Sequence, residues 1–272
     1  RVANLPTVWS NRLAGWILGG RGYHLQFFWL CLGATFIYVS GMFWNDAYDA
    51  QFDKQFRPER PIPSGKISLK AVWIWGAIWL ALGVISLAWM GRLTGTLTFF
   101  LIGSIVLYDA IHKNISFAPV LMAACRFFLY LIAASVTTRG VSGLVIWSAL
   151  ALSLYIVGLG YLARRESAPG SLRYWPCYFL GAPILLSVMI NDGPFLQTGL
   201  LFSAVLGLWI CFCLRYTFWK MPRNISATIS GLLAGIVWVD LLSVAGATPK
   251  YFFIFIGLFL AARVCQKFSP AT

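Results

Sequence analysis

The chain has 272 residues, of which 60% are hydrophobic and 11% charged, and its mean hydropathy is +0.77. These values exclude a soluble globular domain and point to a polytopic helical membrane protein. The formal charge of +13 would suggest nucleic acid in a soluble protein, but Lys and Arg gathered in cytoplasmic loops account for it here, so no nucleic-acid partner is expected.

Apolar runs at about 5–20, 24–48, 69–90, 94–109, 117–137, 142–162, 173–190, 195–214, 225–246 and 250–266 predict an all-α bundle of nine to ten transmembrane helices. The chain starts at Arg1 without Met, which suggests a trimmed start, and no removable signal peptide is readable there. With the amino terminus placed in the cytoplasm, 15 of the 21 basic residues fall on the inner side and 4 outside, while Arg12 and Arg126 lie within segments. That bias predicts a cytoplasmic amino terminus and a cytoplasmic polar face.

The second segment ends in Asn45-Asp46-Ala47-Tyr48-Asp49-Ala50-Gln51-Phe52-Asp53, which holds three of the eight acidic residues. At 100° per residue, Asn45, Asp46, Asp49 and Asp53 lie at about 0°, 100°, 40° and 80°, on one helical stripe. Three carboxylates on one face repel each other unless a cation sits between them. Oxygen ligands at this spacing suit Mg²⁺ that is also held by a substrate phosphate. Removing Asp49 is then expected to leave the ligand-free fold equally stable or more so, because like-charge repulsion is relieved. Pro58, Pro61 and Pro63 forbid helix in the loop that follows.

Further along, Tyr108 precedes His112-Lys113, and Lys113 can hold a phosphate as a point charge. Arg126 stands within the fifth segment, where a guanidinium is costly unless it faces a wet cavity or an acid; it is read as a cavity-facing site residue or as the partner of a carboxylate. After the sixth segment comes Arg164-Arg165-Glu166, two arginines able to grip phosphate bidentately beside one carboxylate. Asp192 is read as a turn residue, and Asp240, late in the chain, as a structural polar partner. Three small-residue pairs, Gly15/Gly19, Gly91/Gly95 and Gly231/Gly235, predict close helix contacts. The six cysteines lack metal or disulfide spacing and read as small core residues.

The Asn-Asp-x-x-Asp-x-x-x-Asp run and the Arg60-Pro61-Ile62-Pro63-Ser64-Gly65 loop resemble the first Asp-rich motif of the UbiA superfamily of intramembrane prenyltransferases. Tyr108 with His112-Lys113 resembles, more loosely, that family's Tyr followed by a Lys-Arg pair. The resemblance implies one integral membrane domain over 1–272, with the helices around a cavity that opens sideways to lipid. It implies Mg²⁺-dependent transfer of a prenyl group from a polyprenyl diphosphate to an aromatic or lipid-soluble acceptor. Asn45, Asp46, Asp49 and Asp53 would form the magnesium and diphosphate side, with Arg60, Tyr108, His112 and Lys113 near them. The family's second Asp-rich motif has no counterpart here: its place is taken by Arg164, Arg165 and Glu166, as in a divergent branch. The altered motif leaves a second reading open, a non-catalytic relative that binds or transports a prenylated or aromatic molecule. An ion-coupled transporter would need acids at the bilayer midplane, whereas most acids here gather at one face. No obligatory protein partner is inferred.

Overall fold

The computed structural model describes residues 2–113, 115–164 and 174–268. Among them, every regular element is helical. After a 3-10 turn at Val2–Asn4 come α1 (Leu5–Leu18), α2 (His24–Phe56), α3 (Leu69–Ala88), α4 (Arg92–Ile111), α5 (Ala118–Ser135) and α6 (Gly143–Ala163). They are followed by α7 (Trp175–Leu180), α8 (Ala182–Ile190), α9 (Leu196–Phe218), α10 (Ile225–Ser243) and α11 (Pro249–Phe268). Eight of these are long and apolar enough to cross a bilayer: α2 to α6 and α9 to α11.

The predicted seventh segment is not one helix. It breaks at Gly181 into two short pieces, α7 and α8. Pro183 enters the first turn of α8, where its missing N–H costs nothing, but in a continuous helix it would leave the carbonyl one turn earlier unpaired.

At 33 residues, α2 is about 50 Å long, against a hydrocarbon core of about 30 Å. Its last two turns therefore overhang the apolar layer, and the acidic stripe sits on that overhang. This is how one helix is apolar through Phe43 and carries three carboxylates after it.

α1 is the opposite case. Its 14 residues make about 21 Å of helix, too short to span. Ten of the 14 are buried, including Thr7, Ser10, Asn11 and Arg12. The Arg12 guanidinium meets no hydrogen-bond acceptor among the described residues. α1 lies in the middle of the bundle against α5 and α10. Gly15 permits the approach: a Cβ there would stand 2.6 Å from the Tyr130 carbonyl oxygen of α5. Gly231 and Gly235 of α10 do the same against Cys213 and Trp209 of α9 and Tyr155 of α6. The Gly91/Gly95 pair serves otherwise, since Gly91 is the turn before α4, at φ +147°, and Gly95 has ordinary contacts.

Polar groups bind the core together. The Asp240 carboxylate of α10 accepts from Ser10 (2.5 Å) and Asn11 (2.7 Å) of α1 and from the Tyr130 hydroxyl of α5 (2.6 Å). Asp240 is thus the structural partner expected of it. Tyr155 of α6 donates to the Leu232 carbonyl (2.8 Å), and Trp209 of α9 to the Gly231 carbonyl (2.9 Å). α5, α6 and α10 are the most buried of the spanning helices, while α3, α9 and α11 lie at the periphery with large apolar side chains exposed. Asp192 precedes a short 3-10 turn, but its side chain does not cap it.

Candidate active site

Because successive helices from α2 to α6 alternate in direction, the end of α2, the α4–α5 connection and the end of α6 meet at one face. There a cavity of about 640 Å³ opens, bounded by α1, α2, α4, α5, α6 and α10. That volume lies within the usual range for small-molecule sites. Its mouth carries Asn45, Tyr108, Asp109, His112, Lys113 and Arg164, and its deeper wall is apolar, with Ile37, Leu101, Met122, Leu129, Ile156 and Ile236. Arg126 is the charged group on the deeper wall among the described lining residues.

The acids of α2 are arranged in tiers, each matched to a donor. At the end of α2 Asp53, buried, takes a 2.7 Å contact from Arg60, and Asp46, half exposed and two turns earlier on the helix, lies 4.0 Å from the same guanidinium. The loop geometry explains this. Turn hydrogen bonds from Arg60 N–H to Arg57 O, Ser64 N–H to Arg60 O and Gly65 N–H to Ile62 O fold the proline-rich segment back over α2, and Gly65 supplies the φ of +75° that the reversal needs. Ser68 then caps α3 by accepting from the Ala71 N–H.

In the middle tier Asp49, buried, meets Lys113 at 2.6 Å and His112 at 3.7 Å. The Lys113 ammonium also lies 4.1 Å from the centre of the Phe52 ring. His112 stacks on Tyr108, and its Nδ1 faces the Tyr108 and Asp109 carbonyl oxygens at 3.1 and 3.2 Å. One turn deeper on both helices, Asn45 donates to Asp109 at 2.7 Å.

The expected repulsion along the stripe is therefore met within the protein, by Arg60, Lys113 and His112. Removing Asp49 strips a close ion pair instead of relieving a like-charge contact, which reverses the expectation for the ligand-free fold. Among the described residues no three His, Cys, Asp or Glu side chains gather as a metal cage. The donor set nevertheless fits Mg²⁺, which is commonly held by one or two carboxylates together with substrate phosphates. Asp46, Asp49 and Asp53 are hard oxygen donors on one stripe, and Asp46 is open to solvent.

Of the remaining candidates, Arg164 lies on the cavity wall and donates to the Ile115 (2.6 Å) and Ser116 (3.3 Å) carbonyl oxygens, pinning the α4–α5 connection. Arg165 and Glu166 lie outside the described residues. Arg126 lines the cavity, and its described hydrogen bonds reach a carboxylate only through an intermediate residue. Its Nη1 donates to the Asn11 Oδ1 (2.7 Å) and its Nη2 to the Thr7 Oγ1 (3.0 Å), and Asn11 in turn donates to Asp240.

Sequence reasoning missed Asp109. It is nearly buried and, unlike Asp46, Asp49 and Asp53, it lines the cavity. Its signal was its position, one turn before Lys113 on the same helical face.

A family model described as the UbiA prenyltransferase family matches residues 3–179. A digeranylgeranylglyceryl phosphate synthase from Metallosphaera sedula is 30% identical over 118 residues, which is 43% of this chain and 33% of that protein. The match thus spans about a third of that relative's length. A solved structure of digeranylgeranylglyceryl phosphate synthase in membranes superposes with a TM-score of 0.61 at 17% identity, covering 96% of this chain and 95% of the other. The apo structure of a UbiA homolog from Aeropyrum pernix K1 gives a TM-score of 0.53 at 16% identity, over 98% and 96% of the two chains. At these identities the two structures share the fold.

Proposed function

The chain belongs to the UbiA prenyltransferase family, and on that premise we propose that it is an intramembrane transferase moving a prenyl group from a prenyl diphosphate to a lipid-soluble or aromatic acceptor. The observation that carries the proposal is the polarity of the cavity, with Lys113, Arg164, His112 and the Asp109 carboxylate at one mouth and an apolar wall behind it. An allylic diphosphate has the same division. Its anionic head suits Lys113, His112 and Arg164, and its hydrocarbon tail suits the wall formed by Ile37, Leu101, Leu129 and Ile156.

In this reading Lys113 and Arg164 hold the leaving diphosphate as charged donors already placed where negative charge develops, which is usually the largest catalytic contribution. Arg60 keeps the proline-rich loop folded over the stripe. The apolar wall excludes water from the allylic carbon once the leaving group departs. Asp46, Asp49 and Asp53 are the residues that would hold Mg²⁺, which neutralises diphosphate charge when bound. Asp109, on the wall below Lys113, is placed to accept a proton from the acceptor. The basic bias of the polar face supports placing the mouth on the cytoplasmic side.

The test is incubation of the purified protein with Mg²⁺ and radiolabelled prenyl diphosphates of several lengths, with pyrophosphate release measured. Release that depends on both Mg²⁺ and Lys113 is the expected result. Tight diphosphate binding with no release under any acceptor mixture would turn the reading to a non-catalytic binder.

A further inference from the structure

The ends of α9 and α11 carry a second polar feature, outside the cavity, with α10 between the two. Tyr174, at the entry to α7, stacks on Phe218 at 4.8 Å, and the neighbouring Trp175 lies 4.8 Å from Tyr161 on the last turn of α6. The end of α9 therefore lies on the same face as the mouth. Cations and aromatic rings alternate there. The Arg263 guanidinium of α11 lies 5.7 Å from the centre of the Trp209 ring of α9, and Trp209 stacks on Phe212 at 5.5 Å. The Arg215 guanidinium covers Phe212 at 3.9 Å, and the Lys220 ammonium lies 4.9 Å from the Tyr216 ring. The assembly is pinned to α10: Trp209 donates to the Gly231 carbonyl, while Arg263 donates to Gln266 (2.9 Å), which donates to the Ser230 carbonyl (2.9 Å). No carboxylate answers these cations among the described residues. From Gly193 to Thr272 the sequence holds one acid, Asp240, and it is buried and accepts from Ser10, Asn11 and Tyr130. Arg215 donates from Nη2 to the Tyr216 hydroxyl (3.0 Å), and its Nε–H is buried without an acceptor among the described residues.

We infer that Arg215 and Arg263 form a binding site for the headgroup phosphate of an anionic membrane lipid, on the outer wall of the bundle. Depth selects a lipid over a soluble anion. Arg215 stands three positions before the end of α9 and Arg263 five before the end of α11, about 4.5 and 7.5 Å of helix. The 20 residues of α11 make about 30 Å, no more than the hydrocarbon core. Arg263 thus sits at the boundary between hydrocarbon and headgroups, where a lipid phosphate reaches it. Leu260, one turn deeper on α11, and Leu208, two turns deeper than Arg215 on α9, are exposed, so an acyl or isoprenoid chain hanging from that phosphate finds apolar side chains beside it. Trp219 and Phe268 are exposed at the two helix ends, as aromatic side chains are at the headgroup layer. A guanidinium lying over a ring is fixed by its face and keeps its N–H edge for a phosphate. A basic belt that merely orients the chain needs neither the rings nor the pinning through Gln266.

The experiment is native mass spectrometry of the purified protein in detergent, titrated with phosphatidylglycerol and with phosphatidylcholine of the same chains. In the wild type the first phosphatidylglycerol should bind about tenfold more tightly than phosphatidylcholine. Arg215→Gln and Arg263→Gln should each cut that ratio about fivefold. Arg223→Gln and Lys267→Gln, at exposed cations nearby that stack on no ring, should leave it nearly unchanged. Phe212→Leu, which keeps every charge and removes the ring under Arg215, should lower it. The ratio is taken within one preparation, so it does not depend on how much of a variant is folded. A wild type without the preference, or equal losses from all four cation substitutions, would overturn the inference, the latter leaving only a diffuse basic belt. Displacement of bound phosphatidylglycerol by inorganic phosphate would overturn it as well, by showing an ionic site open to water.

Discussion

Consider separating Asp49 from Lys113. The contact is 2.6 Å, with the Asp49 side chain 10% and the Lys113 side chain 36% exposed. At an effective dielectric near 20 and about 3 Å, the raw attraction is about 5 kcal/mol. Desolvation and lysine entropy cancel most of it. Exposed pairs contribute about 0.2–1 kcal/mol, whereas removing one partner of a fully buried pair costs about 3–5 kcal/mol. Here one side is buried and the other reaches water, so about 1–2 kcal/mol of coupling is expected. His112 at 3.7 Å limits the loss for Lys113→Gln, and the Phe52 ring at 4.1 Å limits it for Asp49→Asn. The assay is a double-mutant cycle by equilibrium unfolding in mixed detergent micelles. Each single variant should lose about 1–2 kcal/mol, and the double variant should lose little more than either one. Repeating the cycle with Mg²⁺ and a prenyl diphosphate should shrink the coupling as Lys113 moves to the phosphate. Additive single losses without ligand, or a stabilising Asp49→Asn, would refute the pairing.

Arg60→Gln should loosen the proline-rich loop, because the 2.7 Å contact to Asp53 holds it on α2; faster proteolysis near Glu59, with the core intact, is the readout. Gly15→Leu should cost about 1–3 kcal/mol by overpacking α1 against the α5 backbone, read as a lower midpoint in the same unfolding assay. Asp109→Asn should slow product formation with little effect on diphosphate affinity; an unchanged rate would remove Asp109 from the reaction. Thiol labelling should reach Phe56→Cys from the cytoplasmic side and Arg139→Cys from the other, and the reverse pattern would invert the orientation.

Hydropathy made the spanning helices readable because a membrane demands long apolar runs. The break at Gly181 was less readable, since Pro183 sits in a run that stays apolar on both sides. The site was legible where its residues are consecutive in one helix, as on α2. Charge repulsion pointed to a cation there but could not say which. Lys113, supplied 64 positions later, had been seen only as a phosphate holder. Asp109 stayed hidden because it is a single acid whose partner, Asn45, is equally distant in the chain. Arg126 could be flagged by cost alone, while its acceptors Thr7 and Asn11 lie more than a hundred positions upstream.

The three donors converging on Asp240 have a consequence for biogenesis. α1 is too short and too polar to settle in lipid alone, with Arg12 by itself opposing insertion by about 2.5–3.5 kcal/mol. The acid that organises it lies 229 positions later. At about 5–20 residues per second of synthesis, roughly ten to fifty seconds pass between the two. For that interval α1 must wait at the bilayer surface or beside the insertion machinery. α1 is thus among the last of these helices to take its place, and a chain cut short before α10 should leave it exposed to quality control.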